Sequence, residues 1–368
     1  MQLTSEERTK VDNWNALGEK LTDNTMRNFI PMWFANARSL LQAHFPLHSV
    51  NELATRLGSE SDSFIVLGSG PSIQRICRKL PLKHSPVLCG PTALGALLRE
   101  GIRPRAIIVA DASHDQYLHV VESLIPSLEF IDVVLPVIAN PVWYGRDSPF
   151  RRDNLYFFLP YMDYLGSTDV AFNHILHALF PDVATWIGQA GSVAALALNV
   201  ADMACGEVTD KRIYIGVDFS WTKGLPRRAP MRFDDTSCYS ESLRKWHETN
   251  FDKLPDNVID VESTNGTLQT DLLSVSYATQ FFYIIHSWIA NRTFSPDRFV
   301  LLSAASKLYR AVAKDVAFPC VGRVTDATSP ADDAWAYKIV LALINLFTIT
   351  QEESPNGESK ETSPALGT

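Results

Sequence analysis

Two glycines and two serines follow a short apolar run near residue 68, in a pattern that can bind a phosphate. Residues 64–67 read as a buried strand, and the chain after the turn has a helical composition. Such a turn presents free backbone N–H groups of a helix N-terminus to an anion. Residue 73 is isoleucine and no Gly-Lys-Ser/Thr follows, so the Walker and Gly-x-Gly-x-x-Gly patterns are excluded. The alternative is a tight turn that binds nothing. The predicted phosphate-binding residues are Gly68, Ser69, Gly70, Pro71 and Ser72.

Carboxylates follow two further apolar runs. Asp111 ends "RAIIVAD", where it can hold a ribose hydroxyl or, together with Asp115, a Mg²⁺ ion. The alternative for Asp111 is a cap on the helix that follows. Asp218 ends "IYIGVD" and is either a catalytic carboxylate or a buried carboxylate that accepts hydrogen bonds from loop amides.

Hydroxyl-bearing and basic residues also lie near predicted strand ends and helix starts. Thr92 follows the strand-like "SPVLCG", and Gly191 with Ser192 precedes a helix of small residues. That helix start is a second candidate for a phosphate, or it is a site of close helix–sheet packing. Lys223 and Arg227 belong to a basic run that either clamps a phosphate or is solvated.

General-base and metal patterns are sparse in this sequence. His247, in a polar helix, is a weak candidate for a general base. The nine histidines have no metal-binding spacing, and no Gly-x-Ser-x-Gly elbow supports a hydrolase triad.

The elements that must position these residues alternate between strands and helices from residue 63 to about 225. The apolar runs are continuous, which indicates a parallel sheet covered by helices on both faces. Ligands of such sheets bind at the carboxyl ends of the strands, where the candidate residues lie. The predicted fold is therefore α/β and Rossmann-like, with helical additions at both ends. Gly101 is predicted to end the helix that begins near residue 91, and Pro31 is a candidate helix break.

The predicted organisation has four parts. Residues 1–60 form an N-terminal helical cap, and residues 61–292 form the nucleotide-binding catalytic domain. Residues 293–350 form a C-terminal helical segment. Residues 351–368 lack a core-forming pattern and are predicted to be disordered.

Composition narrows the class of protein. An apolar fraction of 46% and a charged fraction of 20% are typical of a globular protein, and the net charge of −8 argues against a nucleic-acid-coating protein. Five scattered cysteines without a Cys-x-x-Cys pair suit a reducing compartment. The polar N-terminus shows no signal peptide, and no apolar run is long enough to span a membrane. We expect a cytoplasmic protein, and the sequence carries no signal for an oligomeric state.

Four segments in order carry a resemblance to one superfamily: "IVLGSGPSI", "ALLREGIRPRAIIVAD", "AGSVAALALNVADMACG" and "IYIGVDFSW". They resemble the archaeal 6-hydroxymethylpterin diphosphokinases, the motility accessory factor glycosyltransferases and the small bacterial CMP-sialic-acid sialyltransferases. The resemblance covers about residues 60–290 and implies a variant of the GT-A fold. Its motifs are specific to the superfamily more than to one branch.

The resemblance implies roles for several residues. It places residues 68–72 against a nucleotide, Thr92 near the base or sugar, and Asp111 near the ribose or phosphates, where the sialyltransferases carry Asn. It also maps Gly191 and Ser192 to a nucleotide contact and matches residues 216–219 closely. A Gly…Thr signature of the pterin kinase and flagellar branches matches Gly266 and Thr270, which implies a phosphate or sugar contact for Thr270.

One departure concerns the catalytic base. The sialyltransferases use a histidine after the Asp-Phe strand, and this sequence has none between Asp218 and Glu241. The base would then be His247 or one of several carboxylates: Asp111, Asp115, Asp234 or Asp235.

The function that this resemblance implies is sugar transfer from a nucleotide-sugar to a hydroxyl acceptor. The acceptor can be a glycan, a protein, a lipid or a modified nucleobase. Lys223 and Arg227 would steady the leaving phosphate, and Mg²⁺ is a candidate cofactor. The alternatives are an ATP-dependent diphosphokinase acting on a pterin-like alcohol and a nucleotide-binding protein without catalysis.

Overall fold

A parallel β-sheet with helices on both faces forms the centre of the fold in a computed structural model. The structure describes residues 25–60, 63–70, 73, 86–121, 128–162, 167–188, 192–204, 211–223, 258–263, 266–271, 274, 277–278, 281 and 299–302. The predicted α/β, Rossmann-like fold class is confirmed.

The helices and strands between residues 63 and 215 follow the predicted alternation, with an additional strand at residues 186–188. The strands are β1 (His48–Ser49), β2 (Ser63–Leu67), β3 (Val87–Cys89), β4 (Ala106–Ile108), β5 (Asp132–Pro136), β6 (Leu155–Tyr161), β7 (Trp186–Gly188), β8 (Lys211–Ile215), β9 (Trp221–Thr222), β10 (Ile259–Ser263), β11 (Gly266–Thr270) and β12 (Phe299–Leu302). The helices are α1 (Ile30–Gln42), α2 (Val50–Glu60), α3 (Pro91–Arg99), α4 (Asp115–Val121), α5 (Ser167–Leu179) and α6 (Val193–Ala204). A π-helical turn (Thr25–Phe29) precedes α1, and two short 3-10 helices span Pro141–Trp143 and Arg152–Asn154.

The strand order of the main sheet is β1-β6-β5-β4-β3-β2-β8-β12, with β7 beside the end of β6. All these pairings are parallel. The chain moves outward in one direction from β2 to β6 and then returns to place β8 on the other side of β2. The order therefore reverses between β2 and β8.

Burial on both faces explains the continuous apolar strands. In β5, Val134 packs into one core cluster while its neighbours Val133 and Leu135 pack into the other. The first cluster contains α2 and α6, and the second contains α1, α3, α4 and α5. Because helices cover both sides, neither face of a central strand needs polar residues.

The end of α3 matches the prediction for Gly101. Its φ of 71° is left-handed, which glycine adopts at little cost. The Gly101 N–H donates to Leu98 O and the Ile102 N–H donates to Leu97 O, at 3.1 and 2.9 Å. This pair of bonds is a Schellman motif.

The N-terminal helix does not break at Pro31. Proline lies in the first turn of α1, where its missing N–H has no intrahelical partner to lose. The ring of Phe172 in α5 contacts Trp33 and Phe34, with centroids 5.6 and 5.5 Å apart. These contacts fasten α1 to the second core cluster.

The prediction of a C-terminal helical segment is wrong at residues 299–302. These residues form the strand β12, which pairs with β8. The run Phe-Val-Leu-Leu is equally compatible with a buried strand, and its neighbour β8 offers a free edge. The rest of the predicted C-terminal helical segment lies outside the described residues, and the predicted domain boundaries stay predictions.

A small antiparallel sheet, in the order β10-β11-β9, follows β8. Its strand β9 begins three residues after Asp218 and pairs with β11 at Leu268 and Gln269. Among the described residues, none of the helices combines the length and apolar character needed to cross a membrane.

Candidate functional site

The candidate site lies where the strand order reverses, at the carboxyl ends of β2 and β8. Residues 68–70, here called the glycine turn, follow β2, and residues 216–218 follow β8. A reversal of this kind opens a crevice outside the strand ends, which is the usual ligand site of an open α/β sheet.

The glycine turn packs directly on the loop after β8. The Gly70 N–H donates to Gly216 O at 2.7 Å. A Cβ atom on Gly70 would lie 2.4 Å from Asp218 Oδ2, and one on Gly68 would lie 2.3 Å from Gly216 O. Real Cβ contacts are never this short, so both positions require glycine for close approach.

The backbone conformation of the turn does not by itself require glycine at residues 68 and 70. Gly68 and Gly70 lie outside the left-handed region, whereas Gly216 has a φ of 73°. Contact between two loops is therefore sufficient to require the two glycines. Ser69, between them, is exposed and faces the solvent side of the turn. Binding of a phosphate by the turn stays a prediction, and Pro71 and Ser72 lie outside the described residues.

Asp218 is 1% exposed, and its carboxylate lies against Gly70. The next residue, Phe219, has a φ of 45°, a left-handed conformation that costs a non-glycine residue about 1 kcal/mol or more. The Thr270 hydroxyl, fully buried, donates to Phe219 O at 2.8 Å and holds this conformation. Thr270 thus supports the Asp218 loop from the end of β11, and its predicted contact with a phosphate or sugar stays a prediction.

Asp111 lies two strands away from the glycine turn, in the loop after β4. Its Oδ1 accepts a hydrogen bond from the Ser113 N–H at 2.8 Å, and its side chain is half-buried. Asp115 is the exposed first residue of α4. Ser113 precedes α4, so this bond is a local turn contact and not the alternative of a cap on α4. Binding of a ribose or a metal ion by Asp111 stays a prediction.

Asp111 and Asp115 are also the predicted carboxylates of a magnesium site. The described part of the chain holds no group of three His, Cys, Asp or Glu side chains that could bind a metal ion. A Mg²⁺ ion held mainly by phosphates needs only one or two carboxylates, and binding by Asp111 and Asp115 stays a prediction.

Thr92 and Ser192 each lie at the start of a helix. Thr92 is the half-buried second residue of α3. A Cβ atom on Gly90 would lie 2.8 Å from Val193 Cγ1, so the residue before α3 packs closely on the first residue of α6. Ser192 Oγ accepts from the Ala195 N–H at 3.2 Å and caps α6. Nucleotide binding by Thr92 and Ser192 stays a prediction.

Lys223 is exposed and follows β9. Its Nζ donates to Asp260 Oδ2, and Gln269 Nε2 donates to Asp260 Oδ1 at 3.0 Å. These bonds, that of Lys223 first, lower the pKa of Asp260 below its usual value. The predicted phosphate contact of Lys223 would have to compete with Asp260, a residue that no sequence motif indicated.

The remaining predicted residues lie outside the described part of the chain. They are Gly191, Arg227, His247, Asp234 and Asp235.

Asn36 is a residue that the sequence did not indicate. Its side chain, 6% exposed, donates from Nδ2 to Ala112 O and to Ile138 O, both at 3.0 Å. The only signal was a polar residue on the apolar side of a helix, which is too common to identify a site.

Comparisons with known proteins give a distant likeness. Neither a protein-family model nor a curated protein sequence matches the chain. A solved structure that matches is the MAf glycosyltransferase from Magnetospirillum magneticum AMB-1, at 14% identity and a TM-score of 0.39. The match covers 84% of this chain and 45% of that chain, so this chain spans less than half of that protein. We draw no conclusion about activity from a likeness of this extent.

Proposed function

We propose that the protein is a glycosyltransferase that moves a sugar from a nucleotide-activated donor to a hydroxyl acceptor. The observation that supports the proposal is the reversal of strand order between β2 and β8, where the glycine turn contacts the loop of Asp218. Crevices at such a reversal of strand order bind nucleotides in other open α/β sheets. The close match of residues 216–219 to the sialyltransferase-like superfamily favours sugar transfer.

The donor's phosphates lie over Ser69, the exposed residue of the turn. Asp111 Oδ2 accepts a hydrogen bond from the ribose, while Oδ1 stays with the Ser113 N–H. Asp218 lies beneath the turn, because its carboxylate is buried against Gly70.

The transfer forms one bond and breaks one. The acceptor oxygen attacks the anomeric carbon, the bond from that carbon to the phosphate oxygen breaks, and the nucleotide leaves with the bonding electrons. A general base takes the acceptor proton. We assign this base to His247 or to a carboxylate of the chain. Lys223, released from Asp260, and Arg227 stabilise the charge on the departing phosphate.

A thermal-shift panel of CMP, CDP, UDP, GDP, ADP and ATP, with and without Mg²⁺, tests the proposal. A ligand that binds the native state raises the unfolding midpoint. A selective response to a pyrimidine nucleotide supports the transferase. A response only to ATP or ADP with Mg²⁺ favours the diphosphokinase, and no response to any nucleotide contradicts both.

Ser69 gives a matched pair of variants for the same assay. Ser69→Asp adds a negative charge to the turn, and Ser69→Asn adds a neutral side chain of the same size. Repulsion between charges about 5 Å apart in a partly solvated site costs about 1–2 kcal/mol, so we expect nucleotide affinity to fall about tenfold in the Asp variant only. Equal affinities of the two variants would place the phosphates elsewhere.

A further inference from the structure

Asn36 connects two neighbouring loops at the carboxyl edge of the sheet. One amide hydrogen bonds to Ala112 O after β4, and the other bonds to Ile138 O after β5, at 3.0 Å each. The backbone carbonyl of Asn36 accepts from the Tyr144 hydroxyl at 3.1 Å. One side chain from α1 therefore uses both of its donors to set the separation of the two loops.

The first of these loops carries Asp111. Ala112 is its direct neighbour in sequence, and the Ser113 N–H bonds to Asp111 Oδ1 at 2.8 Å. Ala112 is 2% exposed, so its carbonyl has little access to water if Asn36 is lost. A buried carbonyl without a donor is unfavourable, and the loop would move to find one.

We propose that Asn36 is a positioning residue, which holds the Asp111 loop in place and thereby fixes where Asp111 Oδ2 lies. What Asp111 binds rests on the proposed function, whereas the effect of Asn36 on the loop does not. The helix α1 is then part of the site's construction as well as a cover for the sheet.

The competing explanation is that Asn36 only fastens α1 to the sheet. Leu40 provides a matched control, because it lies one turn later on α1, is 2% exposed and packs into the same core cluster as Ala112. Leu40→Ala weakens the docking of α1 and leaves both amide bonds of Asn36 in place. A fastening role would make Asn36→Ala and Leu40→Ala behave alike.

Hydrogen exchange of the ligand-free protein tests the positioning role directly. We expect the peptide spanning residues 109–117 to exchange at least tenfold faster in Asn36→Ala than in Leu40→Ala. A peptide from β6 should exchange at similar rates in both variants. Equal rates for the loop peptide in the two variants would overturn the inference. If Asn36→Ala does not fold, Asn36→Ser replaces it, since a hydroxyl can donate to only one of the two carbonyls.

Nucleotide binding provides the second readout. With the nucleotide that gives the largest thermal shift, we expect the dissociation constant to rise at least fivefold in Asn36→Ala and less than twofold in Leu40→Ala. If the wild-type protein binds and the two variants bind alike, the inference fails while the proposed function stands. If the wild-type protein binds no nucleotide, the proposed function fails, and loop exchange alone decides the inference.

Discussion

Replacing Gly70 by alanine tests whether the glycine turn depends on contact with the loop after β8. The new Cβ would lie 2.4 Å from Asp218 Oδ2 and 2.6 Å from Gly216 O. Both atoms belong to a buried loop, so neither moves as freely as the end of an exposed side chain. The turn must shift, and the bond from the Gly70 N–H to Gly216 O, 2.7 Å long, lengthens or breaks.

The expected loss of stability follows from these contacts. Overpacking of a close-packed site costs about 1–3 kcal/mol, and a lost buried hydrogen bond costs about 1 kcal/mol more. The sum, about 2–4 kcal/mol, corresponds to a fall in the unfolding midpoint of about 3–5 °C for a chain of this size.

Gly188→Ala is the matched control for thermal unfolding. A Cβ atom on Gly188 has no heavy atom within 4 Å, so we expect the midpoint to stay close to that of the wild-type protein. Unfolding followed by circular dichroism measures both variants under the same conditions. If Gly70→Ala and Gly188→Ala unfold at the same temperature, the close approach of the two loops is refuted.

Two further variants test the supports of the site. Thr270→Val keeps the shape of the side chain and removes the donor to Phe219 O. The free energy of unfolding, measured in urea, should therefore fall by about 1–3 kcal/mol. An unchanged urea midpoint would contradict the role of this bond. Asp260→Asn removes the partner of Lys223. Because the pKa of Asp260 is lowered, its contribution to stability is present above the unfolded pKa of about 3.9 and is lost as the pH falls through the folded value. The difference in midpoint between wild type and Asp260→Asn should therefore be present at neutral pH and vanish in acid, and a difference that persists in acid would contradict the assignment.

Much of the sheet could be predicted because its strands are buried on both faces. Runs such as residues 133–136 are apolar, and every residue of β5 is buried. The short strands β1, β7 and β12 were missed, since two to four residues carry no periodicity of their own. Their neighbours in the sheet, which a sequence does not place, decide their conformation.

Some residues of the candidate site could be predicted from the sequence, and others could not. Its polar residues could be located at strand ends because parallel strands bring their carboxyl ends together. The sequence does not show why residue 70 must be glycine, because the missing Cβ matters only beside Asp218, which is far away in sequence. Asn36 was missed for a similar reason, since its two partners lie 76 and 102 residues away.

The pairing of β2 with β8 has a consequence for biosynthesis. Ser63 pairs with Lys211, so β2 leaves the ribosome about 150 residues before the neighbour that covers this edge. At about 5–20 residues per second, the glycine turn waits about 7–30 s for the loop on which it packs. The contact between the two loops is therefore among the last parts of the sheet to be completed, and during that interval the exposed edge of β2 is open to pairing with another chain.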